Sequence, residues 1–392
     1  MSLPPGVATL LRAAVAHSEP DRKARSALQE LDTEDLHGLA RGADFHGISA
    51  YVLAATEEGS GLPPAEREQL RERRRAIAID HLRMLGNLRL LRELFDAADV
   101  PWLIVKGPTL AQPVHGDPIL RGYADLDAVV PGTHLRAAVT ALTAAGARPL
   151  DRNWTLLLRE LKGEIHLALP SGTELDLHWH LLNDRDRRDS FQIPMAELFQ
   201  RTRIVRVGDE QVPTLDDADT VVYVALHSVL SGADRLIWLK DVERLLHREL
   251  TSPQEIAARA RQWNAELALT SALECVEATI GLPRQGHELR AALPPYRFWT
   301  TTARTAWRPQ PIERADGSGS LGRMTARSVR ATQAHTLRRL AAKSAGFMIG
   351  SLRGVRTSGH RSVDPNDPGS GAFDAGGDQA REAYLDAVAQ QR

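Results

Sequence analysis

A single cysteine, Cys275, stands in 392 residues. No intrachain disulfide can form, and a zinc site built on cysteines is excluded. A chain without disulfides fits a reducing cytoplasm. Charge of one sign is not in excess either: 49 Lys and Arg face 50 Asp and Glu, a formal net charge of −1. Polymeric nucleic acid as a partner usually leaves a strong basic excess, so the balance argues for a smaller substrate. Long apolar runs are missing as well. No stretch reaches the roughly 18 uncharged apolar residues of a membrane span. Arg12 interrupts the best leader candidate between Met1 and Ser18, so no signal peptide is expected. What remains is an ordinary globular composition, long enough to bury a large core without staples.

Along the chain, residues 1–96 read as an N-terminal helical region. Leu88, Leu91 and Phe95 recur as one apolar stripe, while Glu66 to Arg75 is a dense mixed-charge face. The character changes at Val100-Pro101. Trp102 to Val105 is a short aromatic and β-branched run, the mark of a buried strand. Lys106-Gly107-Pro108 ends it, and Pro108 suits the first position of a short helix through Gln112. Tyr123 to Val130 reads as a second strand, and His134 to Ala145 as an amphipathic helix closed by Gly146. A hairpin follows, with arms Glu164–Leu169 and Glu174–His180 around Pro170-Ser171-Gly172-Thr173. Thr202 to Val207 is a further strand-like piece. Residues 97–215 thus form the expected core, an α/β (α+β) fold with a mixed sheet. Residues 216–300 read as a C-terminal helical region and 301–356 as a linker and basic helix. The last part, 357–392, reads as a largely disordered tail, with Thr357 to Gly377 rich in Gly, Pro, Ser and Asp.

The chemistry concentrates in the core. In Asp125-Leu126-Asp127, residues i and i+2 of a strand project from one face. Two carboxylates side by side are costly unless a cation neutralises them. That oxygen pair suits Mg²⁺, which takes few carboxylates plus substrate phosphates. A third carboxylate is offered by the alternating run Glu174 to His180, which puts Glu174, Asp176, His178 and His180 on one face. Four polar side chains there need partners, so this face is a solvent face or a site wall. Lys106-Gly107 lies between a strand and a helix start, where backbone N–H groups and the helix dipole favour an anion. Lys106 and Arg121 could neutralise a triphosphate. His178 and His180 are candidates for the substrate wall, for a chelating pair, or for a plain surface role. His166 lies on the facing arm, its orientation set by the hairpin register. Separately, Arg323 to Arg361 carries no Asp or Glu, and reads as a solvated helix with a loose tail or as an arm for an anion.

The motifs Val100-Pro101-Trp102-Leu103-Ile104-Val105-Lys106-Gly107, Leu120 to Val130 and Leu175-Asp176-Leu177-His178-Trp179 together carry a resemblance. The sequence is similar to the nucleotidyltransferase superfamily that includes DNA polymerase beta and the aminoglycoside nucleotidyltransferases. More closely, it resembles a bacterial group of uncharacterised nucleotidyltransferases, across roughly residues 30–290. Leu226-His227 and Arg235 to Asp241 also fit that group. The resemblance implies a mixed sheet flanked by helices. It implies that Asp125 and Asp127 hold two Mg²⁺ ions, with Mn²⁺ as a substitute, and that Asp176 shares the metal that activates an acceptor hydroxyl. It also implies that the loop at Gly107 holds the phosphates of an NTP. His227, Arg235 and Asp241 would then line the acceptor side, or else form a buried polar contact between helices. One departure stands out: Pro108 replaces the small residue, often serine, that follows the glycine elsewhere. The expected activity is transfer of a nucleoside monophosphate from NTP to a hydroxyl of a small-molecule or peptide acceptor. Pro108 favours the alternative of a catalytically weak nucleotide-binding or regulatory protein on the same fold. A further alternative is an enzyme that acts on RNA or protein.

Overall fold

A computed structural model describes residues 3–31, 36–56, 61–296, 299, 301, 321–352 and 377–391. The chain packs as two units, each gathered from separate stretches. One, drawn from residues 1–79, 114–122 and 217–359, is helical; the other, from 80–113, 123–216 and 360–392, holds the strands. The mixed α/β organisation expected from the sequence is present. The linear division at 96–97 is not where the chain changes unit. A continuous 34-residue helix, Pro64–Ala97, spans that region and the change falls within it, at Ile79–Asp80.

In the sheet unit, β1 (Leu103–Val105), β2 (Asp125–Val129), β3 (Arg148–Pro149), β4 (Glu164–Ala168) and β5 (Glu174–His178) form one sheet in the order β1-β2-β5-β4-β3. β2 and β5 run parallel, and the other neighbours are antiparallel. Strand alternation sends Leu126, Ala128, Ile165, Leu167, Leu175 and Leu177 to one face, where they are buried with Leu88, Leu91 and Phe95. The acidic and histidine side chains take the opposite face. The hairpin closes as expected: Gly172, at φ +81°, donates to the Leu169 carbonyl and Leu169 donates to that of Thr173.

Alternation through His180 was expected, but it stops at His178. The N–H groups of Trp179 and His180 both donate to the Gly163 carbonyl, at 2.9 and 3.2 Å. Two residues opposite one make a bulge, which ends the period of two. Only glycine fits at 163, since a Cβ there would meet the Leu182 carbonyl oxygen.

A second, two-stranded sheet pairs β6 (Arg203–Val207) with β7 (Glu210–Thr214). β7 was not anticipated; Pro213 is tolerated in it because a two-stranded pair leaves each strand with an unpaired edge. Val205, Val207 and Val212 join the core.

The tail reading also changes at its end. Gly377–Ala389 is a helix with Tyr384, Leu385 and Val388 buried. Tyr384 Oη donates to the Lys162 carbonyl at 2.6 Å and lies 3.1 Å from Trp179 Nε1, which donates to it. Arg136 forms ion pairs with Glu382 and Asp386. Composition marks Thr357 to Gly377 as structureless, yet the apolar stripe beyond it has a core to dock on. The stretch 353–376 lies outside the described residues.

The helical unit is built on Asp217–Ser231, Leu236–Arg248, Pro253–Gln262 and Glu266–Thr279, with Pro5–Ala14 and Pro20–Gln29 among its N-terminal members. The basic helix expected within 301–356 is two helices, Leu321–Arg327 and Gln333–Leu352. Between them Arg330 is buried and donates to the carbonyls of Arg327 and Val329. That arginine of the basic stretch is therefore engaged within the fold. No described helix is long and apolar enough to cross a membrane.

Candidate active site

The polar face of the sheet is assembled by register. Parallel pairing sets Asp127 beside Asp176, and antiparallel pairing sets His166 beside Asp176 and Glu164 beside His178. Three strands thus bring acids and imidazoles into one array. Among the described residues, Asp127, Asp176 and His178 each offer a ligand atom within 4.8 Å of the others, as do His166, Glu174 and Asp176. Asp125 heads β2 in an exposed position and is in neither group.

Asp127 is the hub. Lys106 Nζ lies 2.7 Å from its Oδ1, and His178 Nε2 lies 3.2 Å from the same oxygen. Burial opposes ionisation of Asp127, but Lys106 and then His178 outweigh it and hold its carboxyl well below the usual range. His178 Nδ1 sits 3.0 Å from Glu164 Oε2, off the line of a hydrogen bond, in an ion-pair contact. Burial works against the imidazolium, yet Glu164 and Asp127 on either side raise His178 to about 10.

Asp176 is less well served. Its nearest cationic group among the described residues is His166 Nε2, 3.9 Å away. Burial and then the neighbouring Asp127 push its carboxyl up to about 7. His166 is itself pinned: its backbone N–H donates to Asp151 Oδ2 at 2.6 Å, and its Nδ1 lies 3.2 Å from both Asp151 oxygens. Burial lowers the affinity of His166 for a proton, but Asp151 more than reverses this and raises it to about 9. His180, beyond the bulge, accepts from the Leu182 N–H at 3.0 Å. Burial, then Arg188 and His178, depress it to about 3, so it is a neutral acceptor within the loop.

The loop after β1 has two successive left-handed residues, Lys106 at φ +58° and Gly107 at φ +43°. A side chain at φ > 0 is uncommon, and strained backbone of this kind persists where surroundings dictate it. Here it swings Lys106 back onto Asp127. The helix Pro108–His115 starts next, with Pro108 at its first position. Fewer N–H groups are free there than expected. Pro108 has none, while Thr109 and Leu110 donate to the carbonyls of Lys106 and Gly107.

Arg121, Asp241, His227 and Arg235 lie in the helical unit. Arg121 grips both oxygens of Asp241, at 2.8 and 2.9 Å, and His115 Nε2 lies 2.8 Å from Oδ1. Arg235 stacks over Phe45 and Trp238, and the His227 ring stands edge-on to Trp238. Sequence reasoning missed Asp151 and Glu164 as parts of the polar array. Glu164 and His166 repeat on β4 the alternation of Asp176 and His178 on β5, and that was a readable signal.

A sheet face carrying adjacent carboxylates, closed by a lysine from a glycine turn, fits a protein that handles phosphate and a divalent cation. The chain belongs to the uncharacterised nucleotidyltransferase family, whose model matches residues 32–281. Among solved structures it is similar to the Thermotoga maritima CCA-adding enzyme complexed with tRNA, at 12% identity over 80% of this chain and 85% of that one, with a TM-score of 0.20. No curated relative matches it.

Proposed function

We propose that this protein transfers a nucleoside monophosphate from an NTP to a hydroxyl of a small-molecule or peptide acceptor, with release of pyrophosphate. The observation that carries this reading is the parallel register that sets Asp127 beside Asp176, with Lys106 at the end of the neighbouring strand. The donor set fits a divalent ion. Two adjacent carboxylates, one of them held back from ionising, lack a full complement of positive charge. Hard oxygen ligands favour Mg²⁺ or Mn²⁺. Asp127 and Asp176 would hold the metal, and Asp125, two residues from Asp127, would complete a pair of ions. When bound, the metals neutralise phosphate charge and lower the barrier to deprotonating the acceptor hydroxyl.

The protein's own groups supply the rest. Lys106, ion-paired with Asp127 at 2.7 Å, is a fixed cation placed to meet phosphate charge. His178, locked between Asp127 and Glu164, fixes the Asp127 carboxylate. His166, anchored by Asp151, faces Asp176 only at 3.9 Å and leaves that carboxylate free to take a cation. Positioning and fixed charge of this kind account for most of catalysis in such transfers.

The test is pyrophosphate release by the full chain with Mg²⁺ or Mn²⁺, each NTP and a panel of hydroxyl acceptors, together with Mn²⁺–NTP binding by titration calorimetry. Asp127→Asn and Asp176→Asn should remove both signals. Binding of metal and NTP unchanged in Asp127→Asn would overturn the reading. A second reading, a nucleotide-binding or regulatory protein with little turnover, draws on the helix start, where Pro108, Thr109 and Leu110 offer a phosphate no free N–H. Tight Mn²⁺–NTP binding without pyrophosphate from any acceptor would favour it.

A further inference from the structure

Outside the sheet, the described residues contain one more group of histidine and carboxylate donors close enough to share an ion: His17, Glu243 and His247, with ligand atoms all within 4.8 Å of one another. All three lie in the helical unit and none belongs to the polar face of the sheet. Glu243 and His247 sit one turn apart on the helix Leu236–Arg248, where residues at i and i+4 share a face. His17 comes from the connection between Pro5–Ala14 and Pro20–Gln29.

The donors are built in rather than loosely gathered. The His17 backbone N–H donates to the Ile280 carbonyl at 2.8 Å, and its Cβ faces Gly281, whose φ is +88°. Its Nδ1 lies 2.7 Å from Glu243 Oε1. Glu243 is buried, and Lys240 Nζ lies 2.7 Å from its other oxygen, Oε2. A partner on the far oxygen is how supporting groups orient a metal-binding carboxylate. The rings of His17 and His247 stand edge to face at 5.5 Å, and His247 is exposed, which leaves an open side for entry.

The geometry points to a transition-metal site here, made of two imidazoles and one carboxylate, with Zn²⁺ as the best match. Imidazole nitrogen suits Zn²⁺, whereas Mg²⁺ prefers oxygen donors alone. Two histidines and a glutamate are an established zinc set, with a fourth position left for water. The bound ion would tie the N-terminal connection to the helix Leu236–Arg248, replacing the His17–Glu243 hydrogen bond with a stronger link. Lys240 reduces the net negative charge, so the affinity should be below that of a cysteine-rich structural site.

Full-length protein stripped with a chelator and titrated with Co²⁺ should develop the visible ligand-field absorption of a low-coordinate centre, and Zn²⁺ should bleach it. His17→Gln and His247→Gln should each weaken Zn²⁺ binding by roughly tenfold or more, since even loss of a supporting group costs that much. Asp127→Asn should leave the absorption in place. Zn²⁺ should also raise the thermal midpoint of the parent but not of His247→Gln. Because His247 is exposed, that variant should keep the parent's metal-free midpoint. No absorption in the parent would overturn the proposal, as would absorption that survives both histidine substitutions or that vanishes only in Asp127→Asn.

Discussion

Asp241 in the helical unit and Asp176 in the sheet unit are both carboxylates shielded from water, and they have opposite fates. Asp241 is saturated: Arg121 grips both of its oxygens, and His115, itself 2.6 Å from Tyr51 Oη, takes a further contact. Burial resists its ionisation, but Arg121 and His115 outweigh that and lower it to about 2. Asp176 has a like charge as its strand neighbour and a cation only at 3.9 Å. A network that closes on itself holds a fold together. One that leaves a carboxylate short of positive charge is poised to accept a cation from outside.

The sharpest way to break this comparison is to remove each acid and read two quantities. Asp176→Asn should cut pyrophosphate release by about 10²–10³-fold, the scale of losing one preorganised group. Its thermal midpoint should hold or rise, because the substitution relieves repulsion with Asp127. A clear fall in the midpoint would make Asp176 a structural residue. Arg121→Ala should do the converse. It strands Asp241 in the interior and should cost about 3–5 kcal/mol of stability, read by denaturant titration.

Acid sharpens the same contrast. The pKa of Asp241 is lowered from 3.8 to about 2. Its contribution is present above the unfolded value and is lost as pH falls through that interval. Thermal midpoints measured down through it should therefore drop more steeply in the parent than in Asp241→Asn. Smaller still, Tyr384→Phe should cost about 1 kcal/mol, since it removes the hydroxyl that bonds Lys162 and Trp179. Arg206→Ala, at an exposed pair with Asp209, should change stability by less than about 0.5 kcal/mol.

Much of the sheet was legible because strands announce themselves by alternation. Leu126 and Ala128 against Asp125 and Asp127, and Leu175 and Leu177 against Asp176 and His178, divide between faces as the period of two demands. What alternation does not reveal is which strands are neighbours. The parallel pairing of β2 with β5 arises from the packing of the whole unit. So does the choice of Lys106 over solvent as the partner of Asp127. The bulge at Trp179–His180 was hidden because it depends on Gly163, the residue just before β4. Arg121 stands in a motif read for phosphate, yet it meets Asp241, 120 positions away. A long side chain does not advertise its partner.

The helix Gly377–Ala389 has a consequence for biogenesis. Tyr384 reaches back 222 positions to the Lys162 carbonyl, so the part of the core that contains Tyr384, Leu385 and Val388 is complete only once that helix has been made. Domains that can close early do so during synthesis, N-terminal parts first. The contacts that Tyr384 makes with Trp154 and Trp179 are therefore among the last that synthesis of the described chain allows.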